Sequence, residues 1–394
     1  PTAAGRAWSA VPDEDVPETS LYAGTSGVVL FFLELAAATG DAHALELARS
    51  GADELLTQIP AHVEREAAGL YTGLAGVGFA LGETWRATND ARYRIGLERC
   101  VATLTSSARR VNSLPGVSWS DIDGASVNDV IAGTAGIGFF LLWAADALDA
   151  DAVRELAWRA SANLTALGEP VEQGLDWPME SGHPRRMPNF AHGTAGIAAF
   201  LARAGRTEAS LKGAEHLLTL AERSDGLRVY HHSPDGTELF YLGWCHGPCG
   251  TARLFRELDR AAPAPRWAEL ERECARAIEA SGLPEQRLPG FWDNVSRCCG
   301  SAGVLEFFAG LYARGGAPTD LAFAQRVARD LLVRATRDEC GLSWIQAEHR
   351  AQPELLQAQT GLMQGAAGIG LALLHLDGAE RARPPFIVLP DEVP

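Results

Sequence analysis

Three cysteines and two histidines recur at matching offsets in a short glycine frame, and thiolates and imidazoles are the side chains that hold a borderline-soft metal ion or move a proton. Gly243-Trp244-Cys245-His246-Gly247-Pro248-Cys249-Gly250 sets Cys245 and His246 directly ahead of a Gly-x-x-Gly, and Arg297-Cys298-Cys299-Gly300-Ser301-Ala302-Gly303 sets Cys298 and Cys299 there. His192 holds the same offset before Gly193. Three thiolates from two neighbouring frames suit zinc and leave a fourth position open for water or substrate. Cys249 is the alternative fourth ligand, which would close the shell and make the ion structural. His192 is expected to act as an acid/base group near the ion. His246 is open to the roles of acid, donor to a ligand, or lining. Asp129, four residues before Gly133, reads as a carboxylate partner at the same mouth or as a helix cap. His183, His231 and His232 read as solvated loop.

The frame occurs seven times, with first glycines at Gly24, Gly73, Gly133, Gly193, Gly247, Gly300 and Gly365. Spacings of 49 to 65 residues leave room for two helices and two loops per unit. Behind each second glycine runs a segment apolar nearly all round, such as Ile137-Gly138-Phe139-Phe140-Leu141-Leu142, which predicts a helix buried on every side. Between these lie amphipathic stretches such as 42–57 and 321–335, predicted as outer helices. The expected fold is all-α: an α/α toroid of seven inner and seven outer helices, with the glycines letting inner helices start close together. Polar inserts precede the third and fourth frames, at 119–129 and 176–183, and inserts on one rim of a scaffold usually build its site. One domain is expected over 1–383, followed by a tail, 384–394, marked by Pro384, Pro385 and Pro390.

If the ring closes, the residues just ahead of the glycines face one mouth. Copies four, five and six then gather His192, Cys245, His246, Cys298 and Cys299, while copies one, two and seven read as helix-start packing.

The totals narrow the classes. A net charge of −16 over 394 residues argues against a nucleic-acid binder, which wants a basic face. No run of eighteen apolar residues predicts a membrane span. The opening Pro1-Thr2-Ala3-Ala4-Gly5 lacks the marks of a signal peptide, and its missing Met fits a segment cut from a longer protein. Seven cysteines, an odd number, fit reduced cytosolic thiols, some of them metal ligands, better than a disulfide framework.

These motifs resemble the lanthionine synthetase C-like family, the cyclases of lanthipeptide biosynthesis, over essentially the whole chain. Asn189-Phe190-Ala191-His192-Gly193 is similar to the family's histidine-glycine motif, and Gly243-Trp244-Cys245-His246-Gly247 to its zinc-binding tryptophan-cysteine motif. Asn128-Asp129-Val130-Ile131 resembles the segment with the active-site Asp. Cys298-Cys299-Gly300 falls where the family usually has cysteine-histidine-glycine. The resemblance implies an α/α barrel and a Zn2+ ion on Cys245, Cys298 and Cys299. It implies a Michael addition of peptide Cys to dehydroalanine or dehydrobutyrine, with His192 moving the proton and Asp129 orienting neighbouring groups. It implies a dehydrated precursor peptide as substrate and a dehydratase, separate or fused, as partner.

The chain departs from the family pattern at Cys299, whose third anionic sulfur should leave the substrate thiolate more nucleophilic, and at Cys249. At Tyr241 some members carry a basic residue. Three other readings stand beside the cyclase: addition of glutathione or another small thiol to dehydroamino acids, a peptide-binding toroid with structural zinc, and a glycosidase using Asp121, Asp123 and Glu180. The last leaves the thiols unexplained.

Overall fold

The computed structural model describes residues 2–11, 17–64, 67–110, 114–119, 126–180, 182, 186–230, 241–286, 292–339, 341–349 and 352–393. Helices alternate inner and outer along the chain. The pairs are α1 (Thr25–Thr39) with α2 (Ala42–Glu64), α3 (Leu74–Thr88) with α4 (Ala91–Ser107), and α5 (Thr134–Leu148) with α6 (Asp151–Leu167). They continue with α7 (Thr194–Arg203) and α8 (Thr207–Leu220), α9 (Pro248–Ala261) and α10 (Pro265–Ala280), α11 (Ser301–Ala313) and α12 (Pro318–Val333). The last inner helix, α13 (Ala366–Glu380), packs on both α11 and α1, so the ring closes.

Local chemistry sets the helix ends. Every inner helix starts on the residue after a frame's first glycine. Prolines 248, 265 and 318 open α9, α10 and α12, where a missing N–H costs nothing. Asp90 caps α4 by accepting from Arg92 N at 3.0 Å, and Gly40 ends α1 in the left-handed region at φ 73°. Inner helices such as α5 are apolar nearly all round because outer helices, neighbours and the ring's interior cover them, and all but four of its fifteen positions are buried; α9 is the exception, carrying Arg253, Arg256, Glu257 and Arg260.

The expected toroid is therefore present, with seven inner helices and, among the described residues, six outer ones rather than seven. Three small antiparallel hairpins punctuate the connections: β1–β2 (Glu169–Pro170, Leu175–Asp176), β3–β4 (Thr336–Asp338, Gly341–Ser343) and β5–β6 (Ile345–His349, Gln352–Ala358). After α13 the chain runs extended and turns back into the ring, with Ile387, Leu389 and Asp391 buried. Pro384, Pro385 and Pro390 forbid a helix there.

Arginines from α9 and the sixth frame hold this segment. Arg253 donates to Asp391 and Glu392 (both 2.9 Å), Arg297 to Glu392 (2.7 Å), and the Tyr71 hydroxyl to Asp391 (2.9 Å). Arg297, 1% exposed, also pairs with Glu306 at 2.7 Å. Glu306 in turn meets His375 Nδ1 at 3.0 Å, while Glu34 lies 3.7 Å from His375 Nε2. Burial opposes the charged imidazole, but the two carboxylates outweigh it and raise the His375 pKa to about 9.

Because the folded value exceeds the unfolded one, this stabilisation is full below about pH 6.5 and is lost as pH rises through 9; the difference is worth about 3 kcal/mol. Urea unfolding should show wild type ahead of His375→Gln by that margin at pH 6, with the gap closing above pH 9. A gap that stays constant with pH would mean the imidazole is not charged in the fold.

The glycines let neighbouring frames approach closely, as a Cβ on Gly27 would lie 2.5 Å from Leu362 Cβ and one on Gly76 2.8 Å from Leu21 Cβ, and they also make room for each frame's own turn. A Cβ on Gly193 would lie 1.4 Å from Met187 O, and one on Gly368 would lie 1.7 Å from Leu362 O. Gly193 has an ordinary extended φ of −153°, so the requirement is room for the chain's own preceding turn. Each frame is a knot of backbone folded over its own glycines.

Candidate metal centre

The seven frame turns are stitched into a circle by backbone hydrogen bonds two or, at Val130, three residues ahead of the first glycines. Tyr22 N donates to Tyr71 O (2.9 Å), Tyr71 N to Ile131 O (2.9 Å) and Val130 N to Ala191 O (3.1 Å). Ala191 N donates to Cys245 O (2.9 Å), Cys245 N to Cys298 O (3.0 Å), Cys298 N to Met363 O (2.8 Å), and Met363 N back to Tyr22 O (2.8 Å). The circle makes residues of neighbouring frames touch although they are tens of residues apart in sequence.

Its consequence is a sulfur cluster. Cys245, Cys298 and Cys299 are buried, and their Sγ atoms all lie within 4.8 Å of one another, Cys245 and Cys299 at 3.3 Å. Tetrahedral zinc with Zn–S bonds of about 2.3 Å spaces its sulfurs about 3.8 Å apart, so the donor set fits that ion in type and size. Burial pushes the Cys245 thiol well above its usual value, whereas hydrogen bonds from Cys245, Cys299 and Tyr22 hold Cys298 well below it. One thiolate is thus stabilised by its protonated neighbours, and ionising all three calls for a cation.

Cys249 does not join this group among the described residues. Helix α9 begins at Pro248, so Cys245 lies in the turn before it and the one-turn spacing to Cys249 does not apply. Cys249 instead packs with Leu242, Ala275 and Ala302. A shell closed by this fourth thiol, one of the sequence-based alternatives, is not what the fold builds.

His192 and Asp129 come together. His192 Nδ1 and Asp129 Oδ2 are 2.6 Å apart, while Asp129 Oδ1 accepts from Ala132 N (2.8 Å) and Gly133 N (2.9 Å). The carboxylate therefore both ties its own frame turn and fixes the imidazole; it is not a helix cap, since α5 starts at Thr134 and its N-cap, Gly133, has no side-chain cap bond. Burial disfavours the charged imidazole, but the Asp129 hydrogen bond and charge, with the Cys298 thiolate, carry its pKa above the ordinary histidine value. The His192 side chain keeps 32% exposure. His246 is buried and stacks on His192 with centroids 5.6 Å apart, and Tyr241 leans on its other side at 5.5 Å.

Two residues at this centre were not anticipated. Tyr22 Oη donates to Cys298 Sγ at 3.3 Å, and Gln364 Nε2 lies 2.9 Å from Tyr22 Oη and 3.9 Å from Cys299 Sγ. They belong to the seventh frame, next after the sixth, and the first, which ring closure sets beside the seventh. The sequence held the signal: Tyr22 occupies the offset of Cys245 and Cys298, and Gln364 that of His192, His246 and Cys299.

Asp121, Asp123, His183, His231 and His232 lie outside the described residues. Glu180 forms an isolated backbone bridge with Val127. No helix of the described residues is long and apolar enough to cross a membrane.

The family model described as lanthionine synthetase C-like protein matches residues 15–389. Among solved structures the chain is similar in fold to nisin cyclase, at 17% identity and a TM-score of 0.63, covering 95% of this chain and 91% of that one. Weaker likenesses include unsaturated glucuronyl hydrolase from a Bacillus species (15% identity, TM-score 0.47, coverage 82% and 97%). Cellobiose 2-epimerase from Spirochaeta thermophila is similar at the same level (15%, 0.47, coverage 95% and 89%). A search of curated proteins finds no match.

Proposed function

From a chain that belongs to the lanthionine synthetase C-like family, we propose a zinc-dependent lanthipeptide cyclase that closes thioether rings in a dehydrated precursor peptide. The observation that carries this reading is the buried Cys245–Cys298–Cys299 cluster beside the His192–Asp129 pair at one mouth. Zinc held by the three cysteines would lower the pKa of a substrate thiol and orient it.

The chain's own residues account for the rest. In the addition, a carbon–sulfur bond forms at the β-carbon of a dehydroamino acid and its double bond opens. The thiol loses one proton and the α-carbon gains one, so no oxidant or reductant enters. Asp129 holds His192 through Nδ1, leaving Nε2 as the nitrogen that faces the substrate. Its pKa, raised above the ordinary histidine value by Asp129, favours the protonated Nε2 that a donor to the developing carbanion requires. His246, buried and stacked on that ring, would limit its rotation.

The test uses a peptide carrying one Cys and one dehydroalanine. Ring closure leaves the mass unchanged and removes the alkylatable thiol, so mass spectrometry after alkylation reads it directly. Loss of the label with enzyme supports the cyclase. A label retained in full contradicts it. If glutathione in the same mixture gives instead a peptide heavier by one glutathione, the small-thiol reading replaces it.

A further inference from the structure

Where the first and seventh repeats meet, the circle puts two polar side chains against the sulfurs. We propose that Tyr22 and Gln364 are positioning residues of the metal centre, an amide-to-phenol-to-sulfur relay that fixes the Cys298 thiolate and takes up part of its negative charge. This rests on the three-cysteine centre proposed for the chain.

The proton count allows one arrangement. The phenol has a single hydrogen, and it goes to Cys298 Sγ at 3.3 Å. Its oxygen must then accept, and Gln364 Nε2 supplies the donor at 2.9 Å. The second amide hydrogen is left for Cys299 Sγ, 3.9 Å away. An inverted amide would present an oxygen to a phenol already committed to sulfur, so the network itself assigns Nε2.

The relay is held from behind. Gln346, a buried residue of β5, donates through Nε2 to Gln364 O (2.8 Å) and accepts through Oε1 from Val295 N (3.1 Å). Tyr22 is fixed by its two backbone bonds in the circle, to Tyr71 and Met363. Tyr71 provides the contrast: it has the same frame offset, but its hydroxyl goes to the carboxylate of Asp391, at 2.9 Å, and meets no sulfur. A tyrosine kept only for packing would not need a hydroxyl aimed at a thiolate.

Hydrogen bonds to ligand sulfur in a low-dielectric site stabilise the thiolate against protonation and orient its lone pairs; losing such a partner typically costs about 10- to 100-fold in metal affinity. Losing it also raises the sulfur lone-pair energy, so a sulfur-to-metal charge-transfer band moves to lower energy.

The experiment titrates the metal-stripped full chain with Co2+ against a chelator and records the sulfur-to-cobalt absorption. Tyr22→Phe should bind Co2+ about 10- to 100-fold more weakly with the band at longer wavelength. Gln364→Met should shift both the same way by less. Tyr71→Phe, which loses a buried hydrogen bond remote from sulfur, should change neither. Wild-type affinity and band in Tyr22→Phe overturn the relay while leaving the metal centre standing; should that variant fail to fold, Gln364→Met decides on the same readouts. Wild type that takes up no cobalt removes the centre and the relay together.

Discussion

Cys298→Ala is expected to give a folded ring that holds no metal and closes no thioether. Cys298 is joined to the circle through its backbone, donating to Met363 O at 2.8 Å and accepting from Cys245 N at 3.0 Å, and alanine keeps both bonds. Its side chain is the sulfur to which Tyr22 donates, and its neighbours in the cluster hold its pKa well below the usual thiol value. Removing that sulfur leaves two thiols, one of them pushed upward by burial, and the buried cluster loses the charge that would attract a cation. Metal should fall from about one equivalent per chain to near zero. Cyclisation should fall with it, while circular dichroism stays that of wild type. Cys100→Ala, which removes a thiol buried elsewhere in the core, should retain metal and activity. Metal retained by Cys298→Ala would mean the three sulfurs are ordinary buried thiols.

The second large effect is expected at His192. Removing a positioned proton donor typically slows a step by about 100- to 10,000-fold, and His192→Ala should lose ring closure within that range while keeping its metal. Asp129 gives the pH signature. Its carboxylate holds the His192 pKa above the ordinary value, so the active, protonated form persists to higher pH than a free imidazole would allow. Activity should decline as pH rises through that raised pKa, and Asp129→Asn should move the decline to lower pH. The same variant keeps an oxygen for Ala132 N and Gly133 N, so its frame turn should survive. An unchanged alkaline limb in Asp129→Asn would place the titrating group elsewhere.

Much of this architecture was legible in the sequence, for a physical reason. Each frame needs glycine where the turn folds over itself, so the fold prints its period directly into the chain, and the apolar runs behind the glycines mark the helices buried on all sides. The cysteine cluster followed from treating equivalent offsets as neighbours. Tyr22 and Gln364 hold the same offsets in the first and seventh copies, and only ring closure, which joins the first copy to the seventh, brings Tyr22 to the sulfurs of the sixth.

Two other features depend on information that periodicity does not carry. Cys249 looked like a partner of Cys245 by spacing, but the start of α9 at Pro248 separates a turn from a helix and sends the two sulfurs to different surroundings. The last outer position goes unfilled among the described residues while residues 384–393 enter the ring. What holds them is a set of buried pairs between Asp391, Glu392 and arginines from α9 and the sixth frame, and long-range charge pairing leaves no local pattern to read.

The most direct test of the centre is zinc X-ray absorption on the full-length chain purified without added metal. Three sulfurs at about 2.3 Å and one lighter oxygen or nitrogen neighbour are expected, the signature of an open three-cysteine site. Four sulfurs would bring Cys249 back into the shell and make the ion structural, and a chain that carries no zinc would contradict the account at its base.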